Sequence, residues 1–119
     1  MRSKVYSIVV CALGMVLFLG GGAFAHPPSS IVLSFDYDTQ ILNITVPHGV
    51  SNPQGDHYID FLTVSLNGKE IITQQFFSQA EGREQVALYK IVDAKKGDTI
   101  QVYARCNKFG DKKEALILE

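Results

Sequence analysis

Tyr58-Ile59-Asp60-Phe61-Leu62-Thr63-Val64-Ser65-Leu66-Asn67-Gly68-Lys69-Glu70-Ile71-Ile72-Thr73-Gln74-Gln75-Phe76-Phe77 is the stretch on which the fold turns. Its first part, Tyr58 to Leu66, is the most apolar run outside the N-terminus and is rich in β-branched and aromatic residues. Such runs suit a pleated, buried surface. Asn67-Gly68 follows at once. Both residue types tolerate positive φ, and together they form the strongest short hairpin signal. Lys69 to Phe77 then returns as the partner strand. A central strand, a tight turn and a paired strand are therefore expected here.

The same grammar extends in both directions. Ile31 to Tyr37 alternates, with Ile31, Leu33, Phe35 and Tyr37 on one face and Ser34 and Asp36 on the other. A period of two marks a half-buried strand. Asp38-Thr39-Gln40 reads as a turn, and Ile41 to Val46 as a second strand. Pro47 to Asp56 holds two prolines and two glycines and reads as a loop. Beyond the hairpin, Ser78 to Glu84 is a polar loop and Val86 to Val92 a strand. Asp93 to Asp98 is a turn and Thr99 to Cys106 a strand. Asn107 to Lys112 is a turn, and Ala115 to Leu118 closes the series. Seven short strands separated by turns, with no 3.6-residue period, predict an all-β protein. The expected architecture is a seven-stranded antiparallel β-sandwich of immunoglobulin-like type. Trp is absent and no cysteine pair is available, so an antibody-type domain is excluded.

The N-terminus obeys a different rule. Arg2 and Lys4 precede an apolar run from Val5 to Leu19, then three glycines and Ala23-Phe24-Ala25. This is the pattern of a secretory signal peptide cut after Ala25. Residues 1-25 are thus expected to be a leader and residues 26-119 one small domain. The mature domain would be exported, secreted or periplasmic, with no stable insertion in the membrane once the leader is cut. Cleavage there would also make His26 the first residue, with a free α-amine beside its imidazole. Arg2 and Lys4 leave with the leader, so nine basic residues face twelve acidic ones. The charges are scattered and no basic stripe exists, which argues against nucleic acid as a partner.

The chemistry-bearing residues are few. His26, His48 and His57 are all the histidines, and Cys106 is the only cysteine outside the leader. An exported domain with one cysteine has no internal disulfide; a metal ligand, an intermolecular bond or a reactive thiol are the functional readings. A buried small hydrophobe is the structural one. Three imidazoles and a thiolate make a full four-ligand set for a transition metal. All four residues stand at strand ends or in loops, where a rigid sandwich can hold them together.

Their local strings resemble one family. His26-Pro27-Pro28, Pro47-His48-Gly49 through His57-Tyr58-Ile59-Asp60, and Cys106-Asn107-Lys108-Phe109-Gly110 are similar to the ligand segments of the superoxide reductase family. That family includes the iron-binding domain of desulfoferrodoxin. The likeness spans essentially the whole mature chain. It implies an immunoglobulin-like sandwich and a mononuclear iron held by histidines and an axial cysteine. It also implies an oxidoreductase that reduces superoxide to hydrogen peroxide with electrons from a redox donor. Carried over residue by residue, the metal ligands are His26, His48, His57 and Cys106.

The sequence departs from the family at several points. Phe109 stands where the family has a fourth histidine. The loop from His48 to His57 is longer, contains no lysine, and has Gly49 in place of a proline. Phe24-Ala25 stands where the family carries its catalytic Glu-Lys pair. Iron is therefore the first expectation, and copper or zinc the alternative, since imidazole suits all three and thiolate favours the softer ions. The functional alternatives are superoxide reduction, electron carriage or non-catalytic metal binding on the same fold, and a plain immunoglobulin-like accessory domain.

Overall fold

The computed structural model describes residues 26–119. The expected leader, with Cys11, lies outside the described residues. Seven strands follow in order: β1 (Val32–Asp36), β2 (Ile41–Pro47), β3 (Ile59–Leu66), β4 (Lys69–Gln75), β5 (Glu84–Lys90), β6 (Thr99–Cys106) and β7 (Asp111–Ile117). They form a three-stranded sheet, β1-β2-β5, and a four-stranded sheet, β4-β3-β6-β7. Every pairing is antiparallel. Strands one, two and five in one sheet, facing three, four, six and seven in the other, make the all-β, immunoglobulin-like sandwich that the turn spacing predicts. The described residues contain no helix long and apolar enough to cross a membrane.

The core fills the space between the sheets. Leu42, Ile44 and Val46 of β2 face Leu62 and Val64 of β3 and Ile100, Val102 and Ala104 of β6, all buried. The period-two spacing of these residues is what assigns them to one face. Phe76 packs against this core. Phe77, at 83% exposure, points away from it.

The hairpin forms as expected. Asn67 and Gly68 have φ of 52° and 84°, the backbone of a turn whose twist matches its strands. Asn67 also stitches this end of the sandwich together. Its side-chain oxygen accepts from the Thr99 N–H at 2.9 Å, and its amide donates to the Asp98 carboxylate at 3.0 Å.

Two strand starts differ from the sequence expectation by more than one residue. β5 starts at Glu84, two residues before the apolar run at Val86. Gln85 is polar yet buried, donating to the carbonyls of Ser78 and Ile59. β7 starts at Asp111 and runs through Lys112-Lys113-Glu114, all exposed. It is an edge strand, and a charged, solvent-facing sequence is how an edge avoids pairing with other chains. Charge there reads as turn in the sequence and is strand in the fold.

Topology selects one end of the molecule. β1 is antiparallel to β2, with Val32 opposite Thr45, so the segment before β1 lies beside the end of β2. Pro47 at the end of β2 pairs with Glu84 at the start of β5. Ile59 at the start of β3 pairs with Cys106 at the end of β6. The ends that carry His26, His48, His57, Cys106 and the loop before β5 therefore meet, while the Asn67-Gly68 hairpin is at the other end.

Candidate metal centre

His48 follows Pro47 and continues the β2–β5 pairing, its N–H donating to the Arg83 carbonyl at 2.8 Å. Val50 repeats the pattern with Gly82 at 2.7 Å. The backbone at His48 is thus as fixed as a strand, and its side chain is only 2% exposed. A buried imidazole needs partners for both nitrogens. Gln79 supplies one. Its amide nitrogen donates to the carbonyls of His48 at 2.7 Å and Glu81 at 3.0 Å. Its oxygen must then be the acceptor, and it receives the Nδ1–H of His48 at 2.9 Å and the Ile59 N–H at 3.3 Å. This network puts the His48 proton on Nδ1 and the lone pair on Nε2. Nε2 lies 3.2 Å from the carbonyl oxygen of His26. Two electron-rich atoms face each other there, a pairing that a cation relieves.

His26 is exposed but tethered. Its Nε2 lies 2.9 Å from the Gly49 carbonyl, and its Nδ1 lies 3.2 Å from the Pro27 carbonyl. The segment behind it is anchored. Pro28 is buried, and the Ser29 N–H and hydroxyl both donate to the Pro47 carbonyl. Pro27 packs on Gly110, where a Cβ would fall 2.5 Å from the Pro27 Cβ.

His57 ends the loop before β3. Its Nε2 is in hydrogen-bond contact with Cys106 Sγ at 3.1 Å. The register that sets Ile59 opposite Cys106 accounts for this contact. The sulfur also receives the Lys108 N–H at 3.4 Å. Asn107 locks the turn to the loop. Its side chain accepts from the Tyr58 N–H at 3.0 Å and donates to the Asp56 carbonyl at 2.7 Å. Burial pushes the His57 pKa below its ordinary value, and the neighbouring His48 and His26 push the same way. The carboxylate of Asp56 opposes them and Lys108 adds to them. His57 is held neutral at pH 7, the form that binds metal.

The three rings form one cluster. Centroids are 4.8 Å apart for His26–His48, 5.3 Å for His26–His57 and 4.7 Å for His48–His57. One ligand nitrogen from each lies within 4.8 Å of the others. Donor atoms 2.0–2.2 Å from a common centre must be separated by no more than about twice that distance, so the cluster needs only small adjustments. His26, His48 and His57 could hold a metal ion, and Cys106 adjoins them through His57.

All four residues singled out in the sequence are placed at this end. Phe109, in the Cys106–Gly110 turn, is 61% exposed and offers no donor. Gln79 was not among the sequence candidates, because a glutamine in a polar loop carries no local signal of burial. Only its distance from His48 in the fold reveals it. No protein-family model, curated protein or solved structure matches the chain.

Proposed function

We propose that the mature domain is an exported mononuclear metal protein of superoxide-reductase type, with iron at His26, His48, His57 and Cys106. One observation carries this reading: three imidazoles within 4.8 Å of one another, with a buried thiol 3.1 Å from one of them.

Ferrous iron would supply one electron to each superoxide, which with two protons leaves as hydrogen peroxide. The protein's own part is to bind and orient. Gln79 fixes the His48 tautomer so that Nε2 faces the site, as outer-sphere partners of metal-bound histidines do. The Lys108 N–H holds the Cys106 sulfur in place through its hydrogen bond at 3.4 Å. The Lys108 ammonium, 3.6 Å from the Asp56 carboxylate and close enough to act on His57, is a cation that could attract an anion.

A second reading keeps the site and drops the turnover. Phe109 contributes nothing to it, and three imidazoles with one thiolate also suit tetrahedral zinc or an electron-carrying copper. The test is metal content of the exported protein, followed by superoxide consumption after loading with Fe(II). Stoichiometric iron with superoxide consumption above a Cys106→Ser control is expected. Zinc or copper in place of iron, without consumption, would favour the second reading. Failure to retain any of the three metals would end both.

A further inference from the structure

We propose that the mature chain begins at His26 and that its α-amine is a metal ligand, closing a chelate with Nδ1 of the same residue at the site shared with His48 and His57. The inference rests on the metal-site reading above and adds a fourth nitrogen to it.

Four observations meet at His26. The first is the Ala23-Phe24-Ala25 sequence immediately before it, a signal-peptidase cleavage pattern. Hydrolysis of the Ala25–His26 amide by a leader peptidase consumes one water. Ala25 leaves as the carboxylic acid and His26 keeps its nitrogen as an amine. The amide nitrogen, a poor ligand, becomes a good one.

The second is position. The main chain of His26, and not only its ring, borders the cluster. Its carbonyl oxygen lies 3.2 Å from His48 Nε2, and the α-nitrogen is three bonds from that oxygen. A new terminus would ordinarily fray. This one is tied down within three residues by buried Pro28, by the Ser29–Pro47 hydrogen bonds and by Pro27 seated on Gly110.

The third is tautomer. A neutral imidazole has one N–H. The shorter contact of His26, from Nε2 to the Gly49 carbonyl at 2.9 Å, takes it. Nδ1 keeps the lone pair. Nδ1 is also the ring nitrogen that closes a six-membered chelate with the α-amine, through Cα, Cβ and Cγ.

The fourth is Pro27. Metal ions bound at a peptide amine commonly recruit the next backbone nitrogen by displacing its proton. Proline has no such proton. The amine of His26 is therefore directed to its own imidazole, and the remaining positions are left to His48, His57 and Cys106.

The experiment starts from the full precursor expressed in an exporting bacterium. The intact mass of the exported protein is expected to correspond to His26–Glu119. Ni(II) affinity is then measured by competition with a chromophoric chelator, for this protein and for a form carrying a Gly-Pro-Pro extension ahead of His26, whose prolines have no N–H for the ion to displace and so build no chelate of their own. The extension keeps every side chain and converts the amine to an amide. Because a chelating partner on the same residue acts at high effective concentration, the extended form should bind Ni(II) about tenfold or more weakly. Ni(II) should also protect the α-amine of the unextended form from acylation by an N-hydroxysuccinimide ester, read on the N-terminal peptide. Circular dichroism confirms that both forms are folded. Equal Ni(II) affinity in the two forms would overturn the amine ligand and leave the imidazole site standing. A mature chain that begins at another residue would do the same. Failure of both forms to bind Ni(II), Zn(II) or Fe(II) would remove the metal reading and this inference together.

Discussion

Gln79 serves four partners with one amide: the His48 ring, the His48 carbonyl, the Ile59 N–H and the Glu81 carbonyl. It is 2% exposed, so no solvent replaces those bonds. Gln79→Leu keeps the volume roughly constant and strands the partners. An unsatisfied buried group costs about 1–3 kcal/mol, and this loss should appear in chemical denaturation of the metal-free protein. Metal affinity should fall further, about 10–100-fold, as for other losses of a histidine's outer-sphere partner. Titration of the folded variant with Zn(II) checks this. Unchanged affinity would show that His48 needs no help to face the metal. At this scale the candidate ligands are legible in the sequence and their supports are not. His26, His48, His57 and Cys106 stand out because their chemistry is rare in the chain. Gln79 is one of several glutamines, and Asn107 and Gly110 acquire meaning only through what they touch.

Elements were more legible than residues, for a physical reason. Alternation and turn chemistry are local, so β2, β3, β4 and β6 can be placed from a few consecutive side chains. β6 spans Thr99–Cys106 in both readings. The charged outer half of the edge strand β7 resembles a turn in sequence, and the start of β5 is hidden because Gln85 is buried without being apolar. Between β6 and β7 the chain turns through Gly110, whose φ is +81°. That backbone is strained for any residue with a Cβ, and here a Cβ would also strike Pro27 at 2.5 Å. Gly110→Ala should thus act twice. It should lower stability by roughly 1 kcal/mol or more through the backbone alone. It should also push the His26 segment off the site, so that metal affinity falls more than Lys112→Ala, a change on the exposed edge strand, lowers it. Thermal denaturation and metal titration of the two variants separate these effects. If Gly110→Ala loses stability and keeps full affinity, the contact with Pro27 does not position His26.

The whole molecule divides its polar work between two ends, and the ends should titrate in different pH windows. At the hairpin end, Asp98 is buried and its pKa is lowered, first by the hydrogen bond from Asn67 and then by the Lys95 backbone N–H. A carboxylate lowered in the folded state contributes stability that is present above about pH 3.9 and is lost as pH falls through its folded value. At the histidine end, His57 is lowered, first by desolvation and then by His48 and His26. The unfolded chain therefore takes up this proton first. Stability should be level above about pH 6.5, decline as pH falls toward the folded pKa of His57, and level off below it. Bound metal should steepen the decline, because protons compete for each imidazole and for the thiolate. Denaturation of the metal-free and Zn(II)-loaded protein between about pH 5 and 8 measures both slopes. His57→Gln should flatten the metal-free slope in this window and leave the acid-side loss at Asp98 in place. A metal-free slope unchanged by His57→Gln would assign the titration to another group. A Zn(II)-loaded protein no steeper than the metal-free one would mean that the three imidazoles, close as they are, do not bind the ion together.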